Sequence, residues 1–216
     1  MQSRGKFITV EGQDGAGKTT SMVFIERLLG EREIDVVVTR EPGGTQLGEK
    51  LRCLILEGHE LHIDSQAELL MIFAARAQHL SETIEPALSK GIWVLCDRFT
   101  DATFAYQSAG RGLPWSDVEI LENIVQGSLR PDLTLLIDVD PEIGRIRASQ
   151  RRQTAPDRFE AEEKEFNSNV RRAYLDLARM HPERIRIVDG TLSLNEVEKQ
   201  IIDILGRYLE DSAIER

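Results

Sequence analysis

The segment Gly12-Gln13-Asp14-Gly15-Ala16-Gly17-Lys18-Thr19 constrains this chain more than any other. It follows a short apolar run, Phe7–Val10, and opens an amphipathic one, Lys18–Leu29. The spacing is GxxxxGK[ST] in a strand-loop-helix setting. Glycines let consecutive backbone N–H groups curl around phosphate oxygens, and the following helix turns its positive end toward the anion. Lys18 brings a mobile positive charge to the phosphates and Thr19 a hydroxyl for Mg²⁺. Gly12 through Thr20, the last residue being a second threonine in the first helical turn, are therefore expected to bind an ATP- or GTP-type nucleotide. A glycine-rich turn that binds nothing would not need the Lys-Thr pair at this spacing.

The rest of the chain repeats the same alternation. Candidate strands are Phe7–Val10, Asp35–Thr39, Ile92–Asp97, Leu133–Asp138 and Ile185–Val188, short and rich in Val, Ile or Leu, as strands buried on both faces are. Between them, helices are expected at Lys18–Leu29, Leu47–Glu57, Ala67–Leu88, Ser116–Gln126, Pro141–Gln150, Glu160–Met180 and Leu194–Glu210. Asp140 before Pro141-Glu142 is an N-cap followed by proline at the first helical position. The expectation is an α/β, P-loop nucleoside-triphosphate hydrolase-type fold: one domain over residues 1–216, with a five-stranded parallel sheet and helices on both faces.

Charge narrows the function classes. Lys and Arg number 27 against 37 Asp and Glu, a net charge of −10, which argues against a protein that coats nucleic acid. The longest uninterrupted apolar stretch, Leu69–Ala75, is far too short to cross a bilayer, and no signal peptide is visible, so neither a membrane nor secretion is expected. Cys53 and Cys96 make neither a disulfide framework nor a zinc site, and read as two buried reduced thiols of a cytoplasmic protein.

Two readings of the phosphate loop compete: a phosphotransferase acting on a small molecule, and a GTP-driven switch. An Asn-Lys-x-Asp guanine reader is absent from the sequence. Arginines instead gather at strand ends and in expected loops, at Arg40, Arg98, Arg147, Arg151, Arg152 and Arg158. Transfer between two nucleotides crowds phosphates together, and guanidinium groups neutralise and orient them. The stretch 144–158 holds five arginines against one acid, Asp157. It is either a solvated basic face or a lid that closes over the nucleotide. Asp97-Arg98, ending the third expected strand, places a carboxylate that orients Lys18 or a metal-bound water next to a guanidinium that reaches both phosphates.

The chain also resembles the bacterial thymidylate (dTMP) kinases, a branch of the nucleoside-monophosphate kinases. The resemblance rests on Glu11 through Thr20, Thr39-Arg40-Glu41-Pro42-Gly43-Gly44-Thr45 and Phe73-Ala74-Ala75-Arg76-Ala77-Gln78-His79. It continues through Asp97-Arg98-Phe99, Ala105-Tyr106-Gln107, Gly110-Arg111-Gly112, Pro131-Asp132-Leu133-Thr134 and Asp157-Arg158-Phe159-Glu160. It implies ATP-dependent phosphorylation of dTMP to dTDP with Mg²⁺, in a homodimer whose interface the apolar face of Ala67–Leu80 would supply. A related kinase with another acceptor, such as dUMP, is the alternative.

Carried over residue by residue, the resemblance makes Phe73 the ring that stacks on thymine and Arg76 the donor to a base carbonyl. Asp14 would approach the 3′-hydroxyl and Tyr106 would crowd the 2′ position. Thr103 and Gln107 are expected to contact the nucleoside. Arg98 would bridge the acceptor phosphate, with Arg40 and Arg52 as weaker candidates for it. Without an arginine inside the phosphate loop, the catalytic guanidinium is expected in the lid, from among Arg147, Arg151, Arg152 and Arg158. Lys18, Arg98, Asp97, Arg151 and Arg158 form the expected catalytic set.

Overall fold

Strand β1, Phe7–Glu11, is buried along its whole length, and its alternation sorts the two faces of the sheet. Ile8 and Val10 enter one core with Ile25 and Leu29 of helix α1 (Lys18–Gly30) and Val197, Ile201 and Leu205 of helix α9 (Leu194–Ile214). Phe7, on the opposite face, packs edge to face on Phe99 at 4.9 Å between ring centroids. Thr9 and Glu11 share that second face and are fully buried, so a strand that reads as apolar carries two polar groups needing partners.

The computed structural model describes residues 4–57, 62–151, 158–159, 162 and 164–214, excepting the side chains of 57, 151 and 211–214. Strands β2 (Val36–Arg40), β3 (Trp93–Asp97), β4 (Leu133–Asp138) and β5 (Ile185–Asp189) complete the sheet. All pairings are parallel and the order is β2-β3-β1-β4-β5. This is the P-loop-type α/β sheet expected from the sequence. Helices α2 (Gln46–Glu57), α3 (Ser65–His79), α4 (Glu85–Ser89), α5 (Thr100–Thr103), α6 (Trp115–Gln126), α7 (Pro141–Arg151) and α8 (Lys164–Met180) fill the connections. Register brings Arg40 level with Asp97, and Val10 level with the same residue from the other side. The carboxyl ends of β1, β2 and β3 thus meet at one edge, where ligands of open α/β sheets bind.

Three expectations change. The single helix over 67–88 is α3, a π-helical turn at Leu80–Ile84 and α4. Pro86 lacks an N–H and its ring crowds the carbonyl four residues back, so the ladder widens just before it. The segment after β3, given no element from the sequence, is α5 continued by a π-helical turn at Phe104–Gly110. Burial of Phe104, Ala105 and Tyr106 stabilises this segment where threonines and aromatics give low helix propensity. Cys96 is buried as expected, but Cys53 is exposed on α2. The expected helix over 160–180 is described from Lys164, and residues 152–157 of the expected lid lie outside the described residues.

Candidate active site

The loop after β1 is shaped by close backbone approaches. A side chain at Gly15 would meet the carbonyl oxygen of Gly144 at 1.9 Å, and one at Gly12 that of Ile137 at 2.4 Å, and both residues have positive φ. Helix α1 is preceded by Gly17, which offers no side-chain cap, and has no acid in its first turn, so its leading N–H groups are left for an anion. Thr19 and Thr20 are exposed in that turn. Gln13 donates to the carbonyl of Asn167 at 2.6 Å, tying the loop to α8.

Lys18 is buried, donates to the carbonyl of Gln13 at 3.0 Å and lies 3.7 Å from Asp14. Burial first, then Arg98, holds its pKa below the ordinary lysine value, against the pull of Asp14, Asp97 and Glu11. Asp14 accepts from Arg98 at 2.6 Å. Burial raises the proton affinity of Asp14, but Arg98 and Lys18 outweigh it and leave the carboxyl below its usual range. The acid inside the phosphate loop thus has two cationic partners.

Arg98 sits just beyond β3 with φ of 69°, a left-handed conformation uncommon outside glycine. It is clamped from both sides. Its own N–H donates to Val10 at 3.0 Å, its carbonyl accepts from Cys96 Sγ at 3.1 Å, and the next N–H, of Phe99, donates to Glu11 at 2.6 Å. The guanidinium lies 4.8 Å from the centroid of the Tyr106 ring. Glu11, whose role the sequence did not disclose, therefore supports the turn that presents Arg98.

Glu11 also accepts from Tyr174 at 2.8 Å. Burial, then the charge of Asp101, raise its pKa from 4.5 to about 8, against the opposing influence of Tyr174, Arg98 and the Phe99 N–H. Between those values the folded chain keeps a proton that the unfolded chain has released. Stability from this group is full below the lower value and declines as pH rises toward the upper one, each pH decade being worth about 1.4 kcal/mol. Glu11→Gln should flatten the fall in melting temperature between pH 5 and 8.5. An identical fall in both proteins would place the proton elsewhere.

Beside the loop, a cleft runs between α2, α3 and the α5 segment. Asp14, Arg76, Arg98, Thr103, Tyr106 and Gln107 line it, so it gathers most of the residues expected at a nucleoside monophosphate. Thr103 accepts from Arg76 at 2.9 Å, and Gln107 donates to Glu68 at 3.0 Å. Burial pushes the Tyr106 hydroxyl well above its ordinary pKa.

The structure places Phe73 behind the cleft lining, its ring centroid 4.8 Å from the Arg76 guanidinium. Phe73 is 2% exposed, packs with Leu69 and Phe104 in the core and is absent from the cleft lining, where Ile72 stands instead. Neighbours on a helix are about 100° apart, and the face of α3 that carries Leu69 and Phe73 is taken by the α5 segment. Arg40 pairs with Glu49 at 2.7 Å outside the lining, whereas Arg52, the other phosphate candidate, lies in it and donates to Pro42 at 2.9 Å. Glu41, Ile55 and Phe159 also line the cleft without having been singled out as site residues. Glu41 lay in the Thr39–Thr45 block, which was the available signal.

The arginines of the expected lid are dispersed. Arg158 pairs with Glu68 at 3.1 Å and donates to the carbonyl of Ile55 at 3.1 Å, so its guanidinium is engaged at the α2–α3 wall rather than free above Lys18. Arg147 donates to the carbonyl of Gly190 at 2.6 Å, and Arg145 pairs with Glu142. The Arg151 side chain and all of Arg152 lie outside the described residues. Asp97, at the end of β3, keeps a buried Oδ1 with no hydrogen-bond partner among the described residues.

A phosphate loop, an arginine held by an in-loop carboxylate and an adjoining cleft lined by polar and aromatic side chains suit a kinase acting on nucleotides. Residues 10–201 match the family model described as thymidylate kinase. The chain belongs to the thymidylate kinase family. It is 51% identical to the thymidylate kinase of Hahella chejuensis over 206 residues, 95% of this chain and 98% of that protein. The enzyme of Nitrosomonas europaea is 50% identical over 208 residues, 96% and 95% of the two chains. The crystal structure of the Ehrlichia chaffeensis thymidylate kinase superimposes with a TM-score of 0.76 at 34% identity, covering 94% of this chain and 99% of that one. Glu11, Arg98 and the cleft all fall inside the span that matches the thymidylate kinase family.

Proposed function

We propose that this member of the thymidylate kinase family transfers the terminal phosphoryl group of ATP to dTMP, giving dTDP and ADP. A phosphate oxygen of dTMP attacks the γ-phosphorus, the bond to the β,γ-bridging oxygen breaks, and ADP leaves with those electrons. The acceptor oxygen is already anionic, so no protein nucleophile or base is needed. The observation that carries this reading is the adjoining phosphate loop and cleft, with Arg98 between Asp14 and Tyr106. In this arrangement Arg98 spans donor and acceptor phosphates, Lys18 steadies the charge on the transferring group, and the Arg76 edge reads the base.

Thr19 and Asp97 fit a hydrated Mg²⁺, because a hydroxyl opening α1 and a carboxylate oxygen with no partner among the described residues are the kind of ligands such an ion takes beside nucleotide phosphates. Bound there, Mg²⁺ would neutralise charge on the β- and γ-oxygens. Tyr106 would disfavour a ribose, Thr103 and Gln107 would contact the nucleoside, and Asp14 the 3′-hydroxyl. Residues 144–158 would form the lid of a single domain, and Arg151 or Arg152 would approach the transferring group, Arg158 being paired with Glu68.

The same reading makes the protein a cytoplasmic homodimer that binds no nucleic acid. No helix among the described residues is long and apolar enough to cross a membrane. Helix α3 exposes Leu70, Ala74 and Ala77 beside the exposed Ile120 and Ile124 of α6, an apolar strip suited to a second copy.

The test is ADP formation from Mg·ATP against dTMP, dUMP, dCMP, AMP and thymidine, with the products identified by mass. Rapid ADP release with dTMP, matched by dTDP, is the expected result. A different preferred acceptor would keep phosphoryl transfer and overturn the dTMP assignment. Slow hydrolysis indifferent to acceptor would return the chain to the switch class.

A further inference from the structure

Arg76 is 1% exposed and lines the cleft, yet its three nitrogens are unequally engaged. Nε donates to Glu41 Oε2 at 2.7 Å and Nη2 to Thr103 at 2.9 Å, while Nη1 is buried with no partner among the described residues. The second oxygen of Glu41 accepts from His79 Nδ1 at 2.9 Å, and His79 Nε2 lies 2.7 Å from the Thr39 hydroxyl. A carboxylate only accepts, so Nδ1 carries a proton. Glu41 and His79 are 4% and 0% exposed. The Gly43-Gly44 loop closes over the imidazole so tightly that a side chain at Gly44 would lie 2.4 Å from His79 Nε2.

We infer that His79 and Glu41 are positioning residues for recognition of the acceptor base. They hold Arg76 on Thr103 so that Nη1 is the edge left for a carbonyl oxygen. The inference deepens the dTMP reading and rests on it. Its physical basis is competition for the guanidinium. Arginine and carboxylate favour two parallel hydrogen bonds, and a Glu41 freed of His79 would turn its second oxygen onto Arg76. That would draw the guanidinium off Thr103 and move Nη1 away from the base. The unpaired buried N–H that remains when no carbonyl arrives also favours a keto base over an amino one at this edge.

Steady-state kinetics of the purified full chain, with ATP and either dTMP or dCMP, test this. His79→Leu should raise KM for dTMP about tenfold, leave kcat within about threefold and KM for ATP unchanged, and narrow the preference for dTMP over dCMP. His79→Asn, whose amide nitrogen can stand where Nδ1 stood, should bring KM for dTMP back to within about threefold of wild type. His79→Gln, which reaches toward Thr39 instead, should behave as the leucine variant does, and serves in its place if that variant does not fold. Melting curves establish that each protein compared is folded.

A purely packing role would lower kcat through lost active protein and leave KM alone, and that pattern overturns the inference. So does an asparagine variant no better than leucine or glutamine. Wild-type protein active on dTMP with KM unmoved in every variant overturns the inference alone. Wild-type protein with no turnover of dTMP overturns the dTMP reading and the inference together.

Discussion

Replacing Lys18 by alanine is expected to lower kcat for dTMP phosphorylation by about 10²–10³-fold, or about 2.7–4 kcal/mol of transition-state stabilisation. The ammonium is buried against the phosphate loop, held by the Gln13 carbonyl at 3.0 Å and 3.7 Å from Asp14. Its position is therefore fixed before substrate arrives, and preorganised charge is what accelerates phosphoryl transfer. KM for dTMP should move much less, because the cleft residues that would grip the nucleoside are untouched. Stability should hold or rise, since burial and the neighbouring Arg98 both disfavour the Lys18 charge in the folded chain. Comparing kcat, KM and melting temperature of the two proteins checks all three expectations. Near-normal kcat in the alanine variant would mean that the developing phosphate charge is met elsewhere.

The second large effect is on stability. Arg184→Ala should cost about 3–5 kcal/mol of unfolding free energy, the usual loss when one partner of a buried ion pair is removed. Arg184 holds both oxygens of Asp101, at 2.6 and 2.8 Å, and donates to Thr134 at 2.8 Å. Thr134 is in turn bonded to Thr9 of β1 at 2.8 Å. The side chains of the pair are only 14% and 7% exposed. Burial works against the guanidinium charge, but the hydrogen bonds and charge of Asp101 win and raise its pKa. Without Arg184, the Asp101 carboxyl loses its guanidinium partner beside Glu11, which it already pushes toward protonation.

Urea unfolding with an unchanged m-value measures that loss. A loss below about 1 kcal/mol would show that water replaces the guanidinium. The double variant Asp101→Asn, Arg184→Met should recover much of the stability, because the penalty lies in the stranded carboxyl.

Much of this was legible in the residues. Five β-runs separated by helical stretches, with Gly12–Thr19 after the first, fixed a parallel sheet and the edge at which a phosphate loop stands. Spacing alone conveys such features because they are local: glycine geometry, helix polarity and strand alternation each depend on a few consecutive residues. The Thr39–Thr45 and Phe73–His79 blocks carried the family in the same local way.

Side-chain direction was not legible. Ile72 and Phe73 lie four and three residues before Arg76, both spacings that share a helix face with it. Packing of α3 against the α5 segment put the ring in the core and the isoleucine in the cleft. The arginine-rich run after Gly144 read as one unit, yet Arg158 is spoken for by Glu68, ninety residues earlier. Glu11 lay just past the expected strand Phe7–Val10 with no role, until Tyr174 and Phe99 closed on it from two distant parts of the chain. Sequence determines which groups are present and how their backbone runs. Which of them meet, and which keeps an unpaired edge, is decided by long-range packing that places a buried charge only where a partner from another element can reach it.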